Sequence, residues 1–265
     1  MSARLRRLFL QARKDKKSLF LPYVCVGYPT YGASRETAEA CLRAGAAALE
    51  LGMPFSDPIA DGPTLQAATH EALEHGTHFG DLFRLIGELR GKGFRQPLLA
   101  MTYLNLVERM GVERFSSKLL SVGGDGAIIP DLPLEAFGAY SPALKRKNLC
   151  LIPFVAPTST AQRVKMADAQ QAPFLYYVSL TGVTGARKSL APGLLASLRK
   201  LRGRVKTPVV VGFGISTPAQ ASQVGKVSDG VIIASALIKL ISKTGYSRVG
   251  KVVEGFCRQV VKAMS

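Results

Sequence analysis

The stretch "PVVVGFGISTPAQASQVGKVSDGVIIAS" (208–235) decides how this chain folds. An apolar run ends in a glycine-rich corner, a periodic segment follows over 217–225, and a second apolar run closes the unit. Neither run alternates polar with apolar residues, which predicts parallel strands whose outer face is covered. Working outward, the same pattern recurs along the whole chain. Strand candidates are 19–27, 47–52, 97–103, 126–131, 150–157 and 174–180, besides 208–214 and 230–235. Helical periodicity falls between them at 35–44, 81–93, 133–146, 159–170, 192–202 and 217–225, with a closing helix at 246–264. Eight strands alternating with helices over about 250 residues predict an α/β fold, a closed (β/α)8 TIM barrel. A doubly wound open sheet would show about five or six strands and a Gly-rich first turn, and neither is present. No linker or composition break divides residues 1–265, so one barrel domain is expected.

Composition narrows the function classes. No apolar run approaches the roughly 20 residues a membrane span needs. Cys25, Cys41, Cys150 and Cys257 are far apart and read as reduced thiols of a cytoplasmic protein. His70, His75 and His78 cluster without a carboxylate or cysteine in metal spacing and read as surface residues, so no metal is expected. The 35 Lys and Arg against 18 Asp and Glu leave a net charge of +17. That raises nucleic acid as a partner. The basic residues are nevertheless spread along predicted helix faces, and an anionic small substrate fits them as well. The Arg-rich opening carries an apolar stripe of Leu5, Leu8, Phe9 and Leu10. It reads as an extra N-terminal helix rather than a transit peptide.

A second stretch, "LELGMPFSDPIADGP" (49–63), carries the chemistry. Catalytic groups of such barrels stand at strand C-termini and in the loops that follow. Glu50, flanked by Leu49 and Leu51, must lose much of its hydration, which raises its pKa and suits a proton carrier near neutrality. Asp61, beside Gly62 and Pro63, is expected in a more polar turn and ionised. A plain alternative makes Asp61 only a cap of the next helix. Glycine-rich turns at 182–186 and 212–216, and a helix opening at 234–239, predict a phosphate cradle on the same face. The substrate is therefore expected to carry a phosphate at one end and meet acid–base chemistry at the other.

These segments resemble the tryptophan synthase alpha chain family. "LELGMPFSDPIADGPTLQAA", "FLYYVSLTGVTGAR", "VVVGFGIST" and "DGVIIASALIK" sit in that family's order and spacing. The resemblance implies a lyase that cleaves indole-3-glycerol phosphate to indole and glyceraldehyde 3-phosphate without cofactor. Carried over, Glu50 is the proton shuttle and Asp61 accepts the indole N–H. Tyr176 lines the site beside them. Phosphate ligands map to Gly185, Gly214, Ala234 and Ser235. The indole pocket maps to Tyr23, Met101, Ile128 and Phe154, four residues that fit plain barrel core equally well. The partner is implied to be a pyridoxal-phosphate-dependent beta chain in an alpha–beta–beta–alpha complex, with Asp57 and Pro58 in the contact region.

Two residues depart from the family pattern. Ala234 replaces a usual glycine, which would be costly if that position required a positive φ. Tyr23 replaces a common phenylalanine and adds a hydroxyl near the indole. The segment 179–189 reads as a lid whose Thr184 closes onto Asp61. Two other readings stand beside this one. Another phosphate-binding barrel of aromatic amino-acid biosynthesis would be expected to show a lysine at a strand tip, and none is present. A non-catalytic basic binding protein rests on the charge alone.

Overall fold

The computed structural model describes residues 2–179, 190–245 and 248–265. Nine strands run in chain order: β1 (Leu19–Cys25), β2 (Leu49–Gly52), β3 (Leu98–Met101), β4 (Gly126–Ile128), β5 (Cys150–Ile152), β6 (Phe154–Val155), β7 (Leu175–Tyr177), β8 (Val209–Val211) and β9 (Gly230–Ile233). All pair in parallel, in the order β5-β4-β3-β2-β1-β9-β8-β7-β6. The two ends of that order, β5 and β6, are successive pieces of one segment interrupted at Pro153. The first piece pairs with β4 and the second with β7, so the sheet curls into a nearly closed barrel. Proline has no N–H to give a ladder. Its carbonyl still accepts the Tyr176 N–H at 2.9 Å. The expected eighth-part segment 150–157 is thus present, broken at the residue whose chemistry breaks it.

Every residue of β1 and β2 is buried, because helices cover the outside and side chains fill the inside. Two buried aspartates fix register at the strands' N-terminal ends. Asp125 accepts the Leu98 N–H at 3.0 Å and Asp229 accepts the Val209 N–H at 2.8 Å, so each ties the strand it opens to its neighbour. The helix Ala3–Lys14 lies across that same end, with Leu5, Phe9 and Ala12 buried and the Phe9 ring 5.4 Å from Phe174. Leu10, expected in the buried stripe, is instead 53% exposed, and Ala12 takes the inward position one turn on. All four cysteines are free and buried.

Helices Pro63–Glu74, Leu104–Met110 and Val112–Ser121 were not legible as periodic segments. The first buries only Ala68, Thr69 and Ala72, too small to make an apolar stripe. The other two form one stretch broken at Gly111, whose φ of 83° no helix continues through. No helix among the described residues is long and apolar enough to cross a membrane.

Candidate active site

A cavity opens at the C-terminal ends of the strands, and the predicted residues gather there. Tyr23, Glu50, Asp61, Met101, Phe154, Tyr176, Gly214, Ala234 and Ser235 all line it. Ile128 does not: it ends β4 fully buried, and Pro130, two residues on, faces the cavity instead. Ile128 is paired in register with Met101 and lies one layer deeper in the barrel than Pro130, which follows the strand end. Asp57 and Pro58 lie outside the cavity, on an exposed cleft with Ile59, which is 80% exposed. Thr184, Gly185 and the rest of the expected lid up to residue 189 lie outside the described residues.

Glu50 projects inward from β2, in register with Tyr23 on β1, and is 2% exposed. Burial, and then the negative charge of Asp61, push its carboxyl up to about 8, while a hydrogen bond from Tyr176 opposes the shift. The Tyr176 hydroxyl donates to Oε2 at 3.5 Å. Its ring is held between Phe154, with centroids 4.8 Å apart, and Phe213 at 6.4 Å. Two glycines make room for the tyrosines. A Cβ on Gly52 would come within 2.1 Å of the Tyr23 hydroxyl, and one on Gly212 within 2.0 Å of the Tyr176 ring. Only glycine lets those rings lie across the barrel toward Glu50.

Asp61 lies half-buried in the loop after β2, less enclosed than Glu50. Burial lifts its carboxyl to about 6, a shift opposed by a hydrogen bond from the Tyr103 hydroxyl. The order of the two carboxyls is as expected, Glu50 above Asp61. Asp61 does not cap the helix that follows. The N-cap is Gly62, without a side-chain cap, and Pro63 opens the first turn. Tyr103 is a further residue of the site that is absent from the expected set. Its hydroxyl also accepts the Ala60 N–H at 3.2 Å, and its ring stacks on Phe55 at 5.1 Å. It therefore grips the catalytic loop at both ends. Its place in "PLLAMTY", just past the tip of β3, was the available signal.

Among the described residues, the turns expected to hold an anion line the same cavity. Gly214 turns the chain with φ of 78°. The helix Ser235–Ser242 starts at the cavity, and its first-turn N–H groups have no intrahelical acceptor. Ala234 has φ of −117°, so the feared strain is absent and alanine costs nothing there. Among the described residues, no lysine or arginine lines the cavity.

A parallel barrel with two carboxyls of separated proton affinity in the cavity at its strand C-termini defines a TIM-barrel enzyme of the acid–base type. Residues 9–264 match the family model of the tryptophan synthase alpha chain. The alpha chains of Chloroflexus aggregans and Gloeobacter violaceus are each 41% identical to it, covering 98% of this chain and 97% and 94% of their own. The tryptophan synthase alpha subunit of Legionella pneumophila superposes with a TM-score of 0.92 at 31% identity, over 100% of this chain and 98% of that one. A Mycobacterium tuberculosis tryptophan synthase structure gives 0.90 at 30%, over 100% and 99%. This chain belongs to the tryptophan synthase alpha chain family, and it is a lyase of tryptophan biosynthesis.

Proposed function

We infer that this chain cleaves indole-3-glycerol phosphate to indole and glyceraldehyde 3-phosphate by a retro-aldol step. The observation that carries the reading is the pair Glu50 and Asp61 in one cavity, one carboxyl at about 8 and the other at about 6. At neutral pH Glu50 holds its proton and Asp61 has lost its own. Asp61 accepts the indole N–H and stabilises the positive charge that develops when C3 gains a proton. Glu50 supplies that proton to C3 and then, as a carboxylate, takes the proton of the glycerol hydroxyl next to the ring. The C–C bond breaks, its electron pair returns to the indole, and the hydroxyl carbon becomes the aldehyde. Glu50 ends protonated, as it began.

Tyr23, Met101, Phe154 and Tyr176 form the apolar wall for the indole. Gly214, Ala234 and Ser235 hold the phosphate, together with Gly185. Thr184 steadies Asp61. No metal or organic cofactor takes part. The whole chain works as one barrel domain in the cytoplasm. Asp57 and Pro58, on the exposed cleft, meet the beta chain of an alpha–beta–beta–alpha complex, and indole passes to that chain.

An indole-release assay on Glu50→Gln tests this. The variant should fold normally and lose about 10²–10⁴-fold in turnover, as for removal of a positioned proton carrier. Near-normal cleavage would take Glu50 out of the mechanism.

A further inference from the structure

Cations, which the catalytic cavity lacks among the described residues, are found at the barrel's other end. A groove there runs between the N-terminal helix and the loops that lead into β3, β4 and β5, and Arg4, Arg7, Arg95 and Lys147 line it. Its carboxylate is Asp125, and that group is fully engaged. Oδ1 accepts from the Ser2 hydroxyl at 2.6 Å and from Arg4 at 3.2 Å. Oδ2 accepts from Arg90 at 2.7 Å and from the Leu98 N–H at 3.0 Å.

Arg90 is likewise used up, since it also donates to the carbonyls of Gly123, Phe94 and Gln96 at 2.8–2.9 Å. It is held below its ordinary value by burial, against the pull of Asp125, and further by the positive charges of Arg4 and Arg95. Two guanidiniums, Arg4 and Arg90, thus share one carboxylate, and the charge of Arg95 is felt at Arg90. Lys147 is shared with Glu113 at 2.9 Å. Among the described residues, Arg7 and Arg95 have no carboxylate within ion-pair distance, and both are exposed.

We infer that this groove is a second anion site, which takes a small organic phosphate of two or more charges. The guanidinium fork matches phosphate oxygens in pairs, and a ligand anion balances the positive charge that Asp125 does not. Leu8 and Phe94, half-buried at the groove wall, offer a surface for the ligand's organic part. The site opens at the N-terminal ends of the strands, so its occupant does not compete with the substrate at the C-terminal ends.

Titration calorimetry with inorganic pyrophosphate, at ~0.15 M salt where distant surface charges are screened, tests the site. Arg7→Gln/Arg95→Gln should bind one equivalent fewer than the wild-type chain, or bind that equivalent at least about tenfold more weakly, and turn over indole-3-glycerol phosphate as before. Arg95→Gln alone leaves the N-terminal helix untouched and should show part of the same loss. Equal stoichiometry and affinity in all three proteins would overturn the proposal. So would duplex DNA displacing pyrophosphate and binding more tightly through the same arginines, which would make the groove a nucleic-acid contact.

Discussion

Tyr176 reaches Glu50 from a strand that lies four places away around the barrel, and its hydroxyl stands 3.5 Å from Oε2. At that length the bond is weak, and burial governs the carboxyl. Glu50 stays protonated up to about 8 and Asp61 ionised down to about 6. The profile of kcat/KM against pH should therefore be a bell between those limits. The acid limb belongs mainly to Asp61 and the alkaline limb mainly to Glu50, although coupled groups titrate as a pair. Asp61→Asn should remove the acid limb from whatever activity remains.

The same shift sets a stability slope. The folded Glu50 carboxyl titrates at about 8, against 4.5 for a free one, so the folded state binds more protons throughout that window. Stability must then fall as pH rises from 4.5 to about 8. Glu50→Gln removes this group's part of the slope, leaving the part that Asp61 adds between 3.8 and about 6, and should melt higher than the wild-type chain at pH 8 and above. Parallel melting curves for the two proteins across this range would contradict the buried, proton-holding carboxyl.

Tyr103→Phe deletes the hydroxyl shared by Ala60 and Asp61. The cost in stability should be modest, about 1 kcal/mol for a lost net hydrogen bond. The informative readout is the acid limb of the pH profile. The Tyr103 bond lowers Asp61, so its loss should move that limb to higher pH. An unmoved limb with lowered stability would leave Tyr103 a purely structural clamp.

Gly212→Ala places a methyl where the Tyr176 ring now lies. The ring must swing away from Glu50, at a cost of roughly 1–3 kcal/mol for overpacking. Turnover should fall by on the order of 10²-fold, since small misplacements near the reacting atoms have effects of that size. Steady-state kinetics with a thermal melt separates the two losses.

Ala234→Gly restores the residue common in the family. Because φ at this position is −117°, glycine gains no contact and only frees the unfolded chain. KM for the phosphate substrate should be unchanged, and stability should drop by about 0.4–1 kcal/mol. A clearly lower KM would show that the alanine methyl obstructs the cradle.

The sequence by itself determined the barrel, because continuous apolar strands call for a parallel sheet covered with helices, and eight of them without a Gly-rich first turn set aside the doubly wound alternative. It also determined that Glu50 is a desolvated carboxyl, because Leu49 and Leu51 on either side oblige its strand to be buried. What only the tertiary structure decided are relations between distant segments. Ile128 and Pro130 could not be told apart as cavity wall, because the strand's end, where alternation stops, is set by pairing with β3 and β5. Tyr103 could not be seen as the holder of Asp61, since the two meet only when the loop after β2 folds over the tip of β3. The surplus of cations looked evenly spread along the chain. Four of those cations meet in one groove because the N-terminal helix and three strand-leading loops, far apart in sequence, all end at the same mouth of the barrel.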